Sequence, residues 1–392
     1  MEIAGQIVRN APIAVAQAKF AIEQGYGVDL QTGLDLPDDQ RSYVIFRDHL
    51  NGLEYIRNCA EIKEKGLFIQ LDAYRAHVFL GFQVVRDDAH HHWQNVHDHL
   101  RGRGTSDIHM LQWELPLQPV LKPLREIANS GNFHYLLEQK SHVFSGQISD
   151  AVVNEGEHKL RNLIHGAEVI LQREPQSDAA CDTFRRKLSV LYQFEWLDHL
   201  RKDLHSTHLT QLAKWLRGHR ENDLWLVQVC WIYLDCLRSA LEMEADEFLQ
   251  LVQEWRLFTV IESALDESGM LLGSAQDVTR AIITLFHLDG WHLRMDENTI
   301  LPWLRSWTDH AFNRNFLAVH EQGGVTWFRQ ENMEQLLALM AFSAVSAILQ
   351  VYNPGTKRAH ARLKKTAGII MLLAQRVEDS GYDLGQFLAS AD

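Results

Sequence analysis

The densest group of side chains able to bind a metal ion lies between residues 87 and 99. Its members are Asp87, Asp88, His90, His91, His92, His97, Asp98 and His99. Imidazole and carboxylate groups this close together suit Zn²⁺ or Ni²⁺. On a helix, however, neighbouring histidines point in different directions, and His92 and His99 would lie about two turns apart. We therefore interpret the group as a solvated surface, with His90, His92 and His99 as the candidate ligands for a metal ion.

A second group of titratable side chains has the composition of a general acid–base pair. It consists of Glu155, Glu157, His158 and His165. Such a pair has to converge on a pocket and to have suitably shifted pKa values, and the residue pattern indicates neither. A solvated helical face is the simpler interpretation. We therefore assign no catalytic residue, and no other stretch supplies a complete catalytic constellation.

Tryptophans and glycines are the remaining candidates for ligand binding. Trp303, Trp307 and Trp327 could offer ring faces on which a sugar stacks, although tryptophan at helical spacing is more typical of a core. The glycines at 102–104 and 323–324 match neither GxxxxGK[ST] nor GxGxxG, the patterns of phosphate-binding loops. We therefore expect no cofactor, and we keep the three tryptophans as candidates for substrate binding.

The charge of the chain limits the class of partner. The 392 residues carry a formal net charge of −13 at pH 7, with histidine counted as neutral. Phosphate backbones are bound through lysine and arginine, so this balance disfavours a general nucleic-acid-binding protein. For the same reason it disfavours adhesion to an anionic membrane surface. The partners that we expect are a glucan or another protein domain.

Cysteine use and apolar runs indicate the compartment. Cys59, Cys181, Cys230 and Cys236 form no CxxC pair and no zinc-binding spacing, so we expect buried free thiols. The first residues show no basic start followed by an apolar run, the pattern of a secretory signal. The longest apolar run, 336–349, is too short for a bilayer span and predicts a buried core helix. We therefore expect a soluble, cytoplasmic protein.

The secondary structure that positions these side chains includes a few predicted strands in the first quarter of the chain. Residues 67–85 alternate with a period of two and are rich in aromatic and β-branched types, which predicts a pair of strands. Residues 42–48 and 52–57 predict two further strands joined by a turn. We predict a polar connection at 60–65. The fold class that follows is mainly α, with a small antiparallel β subdomain at about 42–86 and an irregular α-helical bundle after it.

Helical periodicity dominates the rest of the chain. Helices are predicted at 1–25, 91–100, 133–139, 150–172, 182–203, 224–241, 246–266, 274–288, 334–352 and 357–378. Thr105 or Ser106 is the predicted N-cap of the next segment, which three prolines should kink or break within 111–127. A tryptophan-rich helix is predicted to follow Pro302. We place domains at 1–36, 37–87 and 88–392, with a further division of the last near 173–180.

Residues 3–35 resemble the C-terminal tail of the crotonase (enoyl-CoA hydratase) superfamily. The motifs that carry the resemblance are Asn10-Ala11-Pro12, the Ala-Val and Ala-Lys pairs that follow, and a Gly-Leu pair at 33–34. The resemblance ends at residues 37–40. The oxyanion-hole amides and the acid/base glutamates of that family lie upstream of such a tail and have no counterpart here. The resemblance therefore implies common ancestry without hydratase activity.

From about residue 41 onward the chain resembles a different family. The stretches SYVIFRDHLNGLEYIR (42–57) and GLFIQLDAYRAHVFLGFQVV (66–85) resemble the β-rich domain that follows the barrel in bacterial α-amylase-type glycoside hydrolases. GRGTSDIHMLQWELPLQPVLKPLRE (102–126) and VHEQGGVTWFRQENMEQLL (319–337) resemble the long helical extension of some of these proteins. The family's catalytic carboxylates lie on a barrel that has no counterpart here, and Gly81 stands where the family pattern has an acidic residue.

These resemblances imply a non-catalytic auxiliary C-terminal region of an α-amylase-type protein. The crotonase-like segment before it would result from the fusion or truncation of a reading frame. Its role would be scaffolding, partner contact or weak glucan contact. The alternative is an enzyme, either a glycoside hydrolase or a crotonase-type acyl-CoA hydratase or isomerase, whose site is not visible in the sequence. The first interpretation predicts exposed apolar side chains on the strands at 67–85, unless the first helices cover them.

Overall fold

The computed structural model describes residues 35–69, 76–141, 148–174, 177–204, 210, 221–271, 273–288, 290–293, 296–353 and 356–389. Most of these residues are helical, and a small antiparallel sheet precedes the helices, which confirms the predicted mainly-α fold class. The predicted helix at 1–25 lies outside the described residues.

The strands and helices are labelled here in chain order. The strands are β1 (Ser42–Asp48), β2 (Glu54–Asn58), β3 (Phe79–Arg86), β4 (His320–Gln322) and β5 (Val325–Trp327). The helices before residue 241 are α1 (Cys59–Lys65), α2 (His92–Leu100), α3 (Ile108–Ile127), α4 (Ser130–Ser141), α5 (Asp150–Leu171), α6 (Ser177–Leu204) and α7 (Glu221–Ala240). The later helices are α8 (Ala245–Glu254), α9 (Leu257–Ser268), α10 (Ala275–His287), α11 (Glu297–Asp309), α12 (Ala311–Phe316), α13 (Gln330–Val351), α14 (Lys357–Asp379) and α15 (Leu384–Phe387).

The chain forms two compact units, unit 1 at residues 1–117 and unit 2 at residues 118–392. The boundary between them falls within α3. The domain limits inferred from the sequence, at 36/37, 87/88 and near 173–180, stay predictions.

Unit 1 is built around β1, the central strand of a three-stranded antiparallel sheet with the order β2-β1-β3. On one face Tyr43 and Ile45 pack against α2 and the start of α3. On the other face Val44 and Phe46 pack against α1. Both strands predicted from 42–48 and 52–57 are confirmed, the second as β2. Burial on both faces accounts for the run of apolar residues in β1.

The stretch at 67–85 differs from its prediction. Residues 67–69 form no strand, 70–75 lie outside the described residues, and β3 pairs with β1 instead of folding back on a neighbour. A bulge interrupts the register between Ile45 and Arg47, opposite Gly81, whose φ of +67° is a conformation that favours glycine. The glycine that departs from the family pattern is therefore accounted for by the backbone of β3.

The predicted polar connection at 60–65 is wrong, because these residues lie in α1. Asn58 is the N-cap, and its side-chain oxygen accepts hydrogen bonds from the backbone N–H groups of Ala60 and Glu61. Ile62 is buried against β1. Lys63 and Lys65 lie in the last turn, where their positive charges interact favourably with the helix dipole.

The predicted break at 111–127 is also wrong, because α3 runs without interruption past all three prolines. Its start is capped by Asp107, whose carboxylate accepts a hydrogen bond from the N–H of Met110 at 2.8 Å. The predicted cap Thr105 instead forms an isolated β-bridge with Glu54. The carboxylate of Glu54 in turn accepts a hydrogen bond from the N–H of Ile108.

Unit 2 has α7 at its centre. Most of its described side chains are buried, and it contacts α5, α6 and α10, as the apolar pattern at 224–241 predicts. The predicted helices at 133–139, 150–172, 182–203, 274–288, 334–352 and 357–378 are confirmed with shifted ends. In the chain as a whole all four cysteines are buried and free, again as predicted. Burial raises the pKa of Cys230 to about 12.

Two helical predictions in unit 2 need correction. The single helix predicted at 246–266 is two helices, α8 and α9, separated by Trp255 and Arg256, the latter in the left-handed region with φ +49°. Pro302 does not precede its helix but lies inside α11, which begins at Glu297 behind the N-cap Asp296.

The apolar run at 336–349 lies within α13, a helix of 22 residues. This helix is long enough to cross a bilayer, so the expectation that the segment is too short is wrong. Among the described helices it alone has the length and composition of a membrane span, and α7 with α8 would qualify only as a pair bent by 109°. Of the most apolar part of α13, 61% is buried within the protein, as in a core helix.

A short hairpin in unit 2 was missed. Strands β4 and β5 pair across Gly323 and Gly324, whose φ values of +63° and +78° suit a tight two-residue turn. The Gly-Gly pair between residues able to form strands is the signal that indicates such a hairpin in a sequence.

Candidate metal centre

One group of three potential metal ligands comes together in the described part of unit 2. Ligand atoms of Asp246, His287 and His310 all lie within 4.8 Å of one another. Asp246 is in the first turn of α8, His287 ends α10, and His310 lies between α11 and α12. The fold therefore brings residues from three separate segments to one point.

Two hydrogen bonds determine which nitrogen of His287 faces this point. The side-chain N–H of Asn313 donates to the carbonyl of Trp307 at 2.8 Å, which leaves the Asn313 side-chain oxygen as an acceptor. That oxygen lies 2.9 Å from Nδ1 of His287, so Nδ1 has to carry the hydrogen. In the neutral ring the lone pair is then on Nε2, which lies 3.5 Å from a carboxylate oxygen of Asp246.

The surroundings of His287 favour its neutral form. Burial lowers the pKa of His287, and the proximity of His310 lowers it further, against the opposing effects of Asn313 and Asp246. The His287 side chain is only 10% exposed, whereas that of Asp246 is 81% exposed. The ring centroids of His287 and His310 lie 4.8 Å apart, and Phe312 packs edge-on against His287. The group is therefore anchored in the protein at His287 and opens to solvent at Asp246.

Sequence analysis did not select these three residues. They lie on different elements and form no short spacing such as HxxxH or CxxC. No local signal in the sequence links them, and only the packing of α8, α10 and α12 brings them together.

Of the predicted histidine candidates in unit 1, His90 precedes α2, His92 is its first residue and His99 lies in its last turn. Asp88 accepts a hydrogen bond from the backbone N–H of His90, and its carboxylate lies 2.7 Å from Nδ1 of His92. Among the described residues the structure does not join His90, His92 and His99 into one group of ligands. Metal binding at these three residues stays a prediction.

The predicted tryptophan candidates differ in exposure. Trp307 on α11 is only 6% exposed, so little of its ring is accessible for stacking on a sugar. Trp303, also on α11, and Trp327 on β5 are partly exposed. Sugar binding at Trp303 and Trp327 stays a prediction.

A buried charged group lies elsewhere in unit 2. The ammonium of Lys187 on α6 forms an ion pair with the carboxylate of Asp235 on α7, and the two side chains are 8% and 10% exposed. Arg238 binds the second oxygen of Asp235 at 2.9 Å. The Lys187 ammonium also lies 4.3 Å from the ring centroid of Trp231. Both charges are compensated, which is typical of a structural ion pair.

Comparison of the chain with models of protein families, with curated proteins and with solved structures gave no match in any of the three.

Proposed function

We propose that this chain is a non-catalytic auxiliary C-terminal region of an α-amylase-type protein. Its main role is to contact another protein domain through the edge of its sheet, with weak glucan contact as a further role. The proposal is supported by the resemblance of residues 42–57 and 66–85 to the domain that follows the barrel in such proteins. The single observation that carries it is the exposed, apolar character of β3.

The apolar residues Leu80 and Val84 on this strand, together with Val78 directly before it, are here called the β3 edge. They are 43%, 51% and 41% exposed, respectively. β3 is the outer strand of the sheet, and no other strand pairs with its outer side among the described residues. An exposed apolar edge strand is a ready template for contact with another chain or domain. The β3 edge is therefore the surface at which the partner domain docks.

Substitution of the β3 edge by charged residues should weaken this contact. An apolar side chain that is fully buried on binding contributes roughly 1.5–3 kcal/mol. The double substitution Leu80→Lys/Val84→Lys should therefore raise the dissociation constant at least about tenfold, which corresponds to about 1.4 kcal/mol. The measurement is calorimetric titration with a purified (β/α)₈ barrel domain of an α-amylase-type glycoside hydrolase that lacks its own C-terminal domain.

The matched control is Val169→Lys/Val351→Lys, which adds the same charge at helical positions of unit 2 that are 53% and 72% exposed. This variant should bind the barrel domain like the unsubstituted chain. Equal weakening by both variants, or no binding of the barrel domain at all, would contradict the proposal. Hydrolysis of maltooligosaccharides or hydration of an enoyl-CoA by the isolated chain would contradict its non-catalytic part.

A further inference from the structure

The geometry of Asp246, His287 and His310 suits a zinc ion. Zn²⁺ is bound in proteins by histidine nitrogens and carboxylate oxygens at about 2.0–2.2 Å, so two ligands of a tetrahedral ion lie about 3.4 Å apart. The separation between Nε2 of His287 and the carboxylate oxygen of Asp246 is 3.5 Å. All ligand atoms of the group lie within 4.8 Å of one another, so the three side chains are already gathered around one point before an ion binds.

We propose that Asp246, His287 and His310 bind a Zn²⁺ ion, with a water molecule as the fourth ligand. Two histidines and one carboxylate form a known ligand set for zinc with one open position. Asp246 is exposed, so the fourth position is on the solvent side, where water can reach it. This site is separate from the β3 edge and does not depend on the function proposed above.

A cation also resolves an unfavourable contact within the group. With its hydrogen on Nδ1, the neutral His287 ring presents the lone pair of Nε2 to the Asp246 carboxylate, so two acceptors face each other without a hydrogen between them. A zinc ion bound by both atoms turns this repulsion into two favourable bonds.

Asn313 orients His287 in the way that proteins commonly orient zinc-binding histidines. A ligating histidine usually donates its second N–H to a fixed oxygen, which holds the ring and its tautomer in place. Here the acceptor is the side-chain oxygen of Asn313, which is 2% exposed and is itself held by the carbonyl of Trp307. The orientation of the ring therefore exists before the ion binds.

The ion would connect three elements of unit 2. Asp246 and His287 belong to α8 and α10, which contact each other, and His310 leads into α12, which also contacts α10. Rigid positions on helices reduce the cost of bringing the ligands together. Binding of Zn²⁺ should therefore raise the thermal unfolding temperature of the chain, with a stoichiometry of one ion per chain.

The experiment has to separate this site from the histidine-rich surface of unit 1. All variants are therefore made in a background that carries His90→Ala, His92→Ala and His99→Ala. In this background we titrate Zn²⁺ against a chromophoric chelator and repeat the titration with Co²⁺, whose visible spectrum reports tetrahedral coordination. We expect one Zn²⁺ per chain and a tetrahedral Co²⁺ spectrum.

Removal of either exposed ligand tests the assignment without disturbing the core. Asp246→Asn and His310→Ala should each weaken Zn²⁺ binding about 100-fold, because loss of a ligand costs at least as much as loss of its orienting partner. The matched controls are Glu247→Gln, the exposed neighbour of Asp246, and His320→Ala, an exposed histidine on β4. Both controls should bind Zn²⁺ with the background affinity.

Three results would overturn the proposal. They are the absence of Zn²⁺ binding in the background chain, unchanged binding in Asp246→Asn and His310→Ala, and equal loss in the control variants. Circular dichroism of each metal-free variant establishes that the fold is retained, so that a loss of affinity reports on the site. His287→Ala is not used, because this side chain is buried and its removal would also affect packing.

Discussion

Replacement of Gly166 by alanine is expected to destabilise unit 2 by about 3 kcal/mol or more, at the upper end of the range for an added group in a packed core. Gly166 lies on α5 where this helix approaches α3, and a Cβ atom built there would overlap the backbone carbonyl of Pro119. Because this neighbour is backbone, it cannot rotate away as a side chain could. One of the two helices would have to move.

The proline pattern of α3 explains why the approach is so close at this point. Pro123 has no N–H and cannot donate to the carbonyl four residues earlier, which is that of Pro119. This carbonyl lacks its usual helical donor and can face a neighbouring backbone, provided that the neighbour has no side chain. Gly166 meets this requirement.

The matched control is the same substitution at Gly368 on α14. No atom lies within 4 Å of a Cβ built at Gly368, so Gly368→Ala should stabilise the chain by about 0.5–1 kcal/mol through the helix propensity of alanine. Urea unfolding of both variants measures the two effects under one set of conditions. A loss below 1 kcal/mol for Gly166→Ala would contradict the close approach of α5 to Pro119.

The elements of this fold with strong local patterns could be predicted from the sequence. The apolar run within 42–48 indicated β1, and the apolar stretch at 224–241 indicated the central helix α7. In each case the pattern that decides burial is contained in the element itself. The alternating stretch at 67–85 is an exception, because the strand within it, β3, pairs with β1 and not with a neighbouring part of the same stretch.

Predictions of where a helix begins, ends or breaks, which depend on one or two residues, were less successful. Prolines were expected to kink or break the element at 111–127, but α3 continues through them as one helix. The break at Arg256 has no proline or glycine to announce it. In contrast, Asn58 followed by Glu61 is a recognisable helix start, so α1 could have been predicted from its cap.

The candidate metal centre could not have been predicted from the sequence. The histidine candidates in unit 1 lie close together in the chain, but side chains close in sequence on a helix point in different directions around its axis. Asp246, His287 and His310 are far apart in the chain and meet only because α8, α10 and α12 pack together. Tertiary packing that no local pattern encodes is thus the source of this site.

Substitution of Asp235 by asparagine is expected to cost about 3–5 kcal/mol of stability, the usual effect of breaking a buried ion pair from one side. Asparagine keeps the shape of the side chain but removes its charge. Lys187 would then remain buried, at 8% exposure, without its counterion. The cation–π contact with Trp231 is too weak to replace the carboxylate.

The double substitution Lys187→Met/Asp235→Leu serves as the control for charge. It removes both buried charges and retains similar volume, so most of the lost stability should return. Arg238 is 24% exposed and keeps its hydrogen bond to the carbonyl of Met243, so it is not left unpaired in the core. If the double variant were as unstable as Asp235→Asn, the loss would come from packing and not from the uncompensated lysine.

The pH dependence of the same pair gives an independent measurement. Burial by itself would raise the pKa of Asp235, but the charges of Lys187 and Arg238 outweigh it and hold this pKa below its ordinary value. A carboxyl with a lowered pKa in the folded state stabilises the fold above the unfolded pKa of about 3.9 and loses this contribution as the pH falls through the folded value. The stability difference between the unsubstituted chain and Asp235→Asn should therefore be constant above about pH 5 and shrink below about pH 4. Urea unfolding across this range measures the difference, and a gap that grows with acidity would show that Asp235 does not carry the charge that stabilises Lys187.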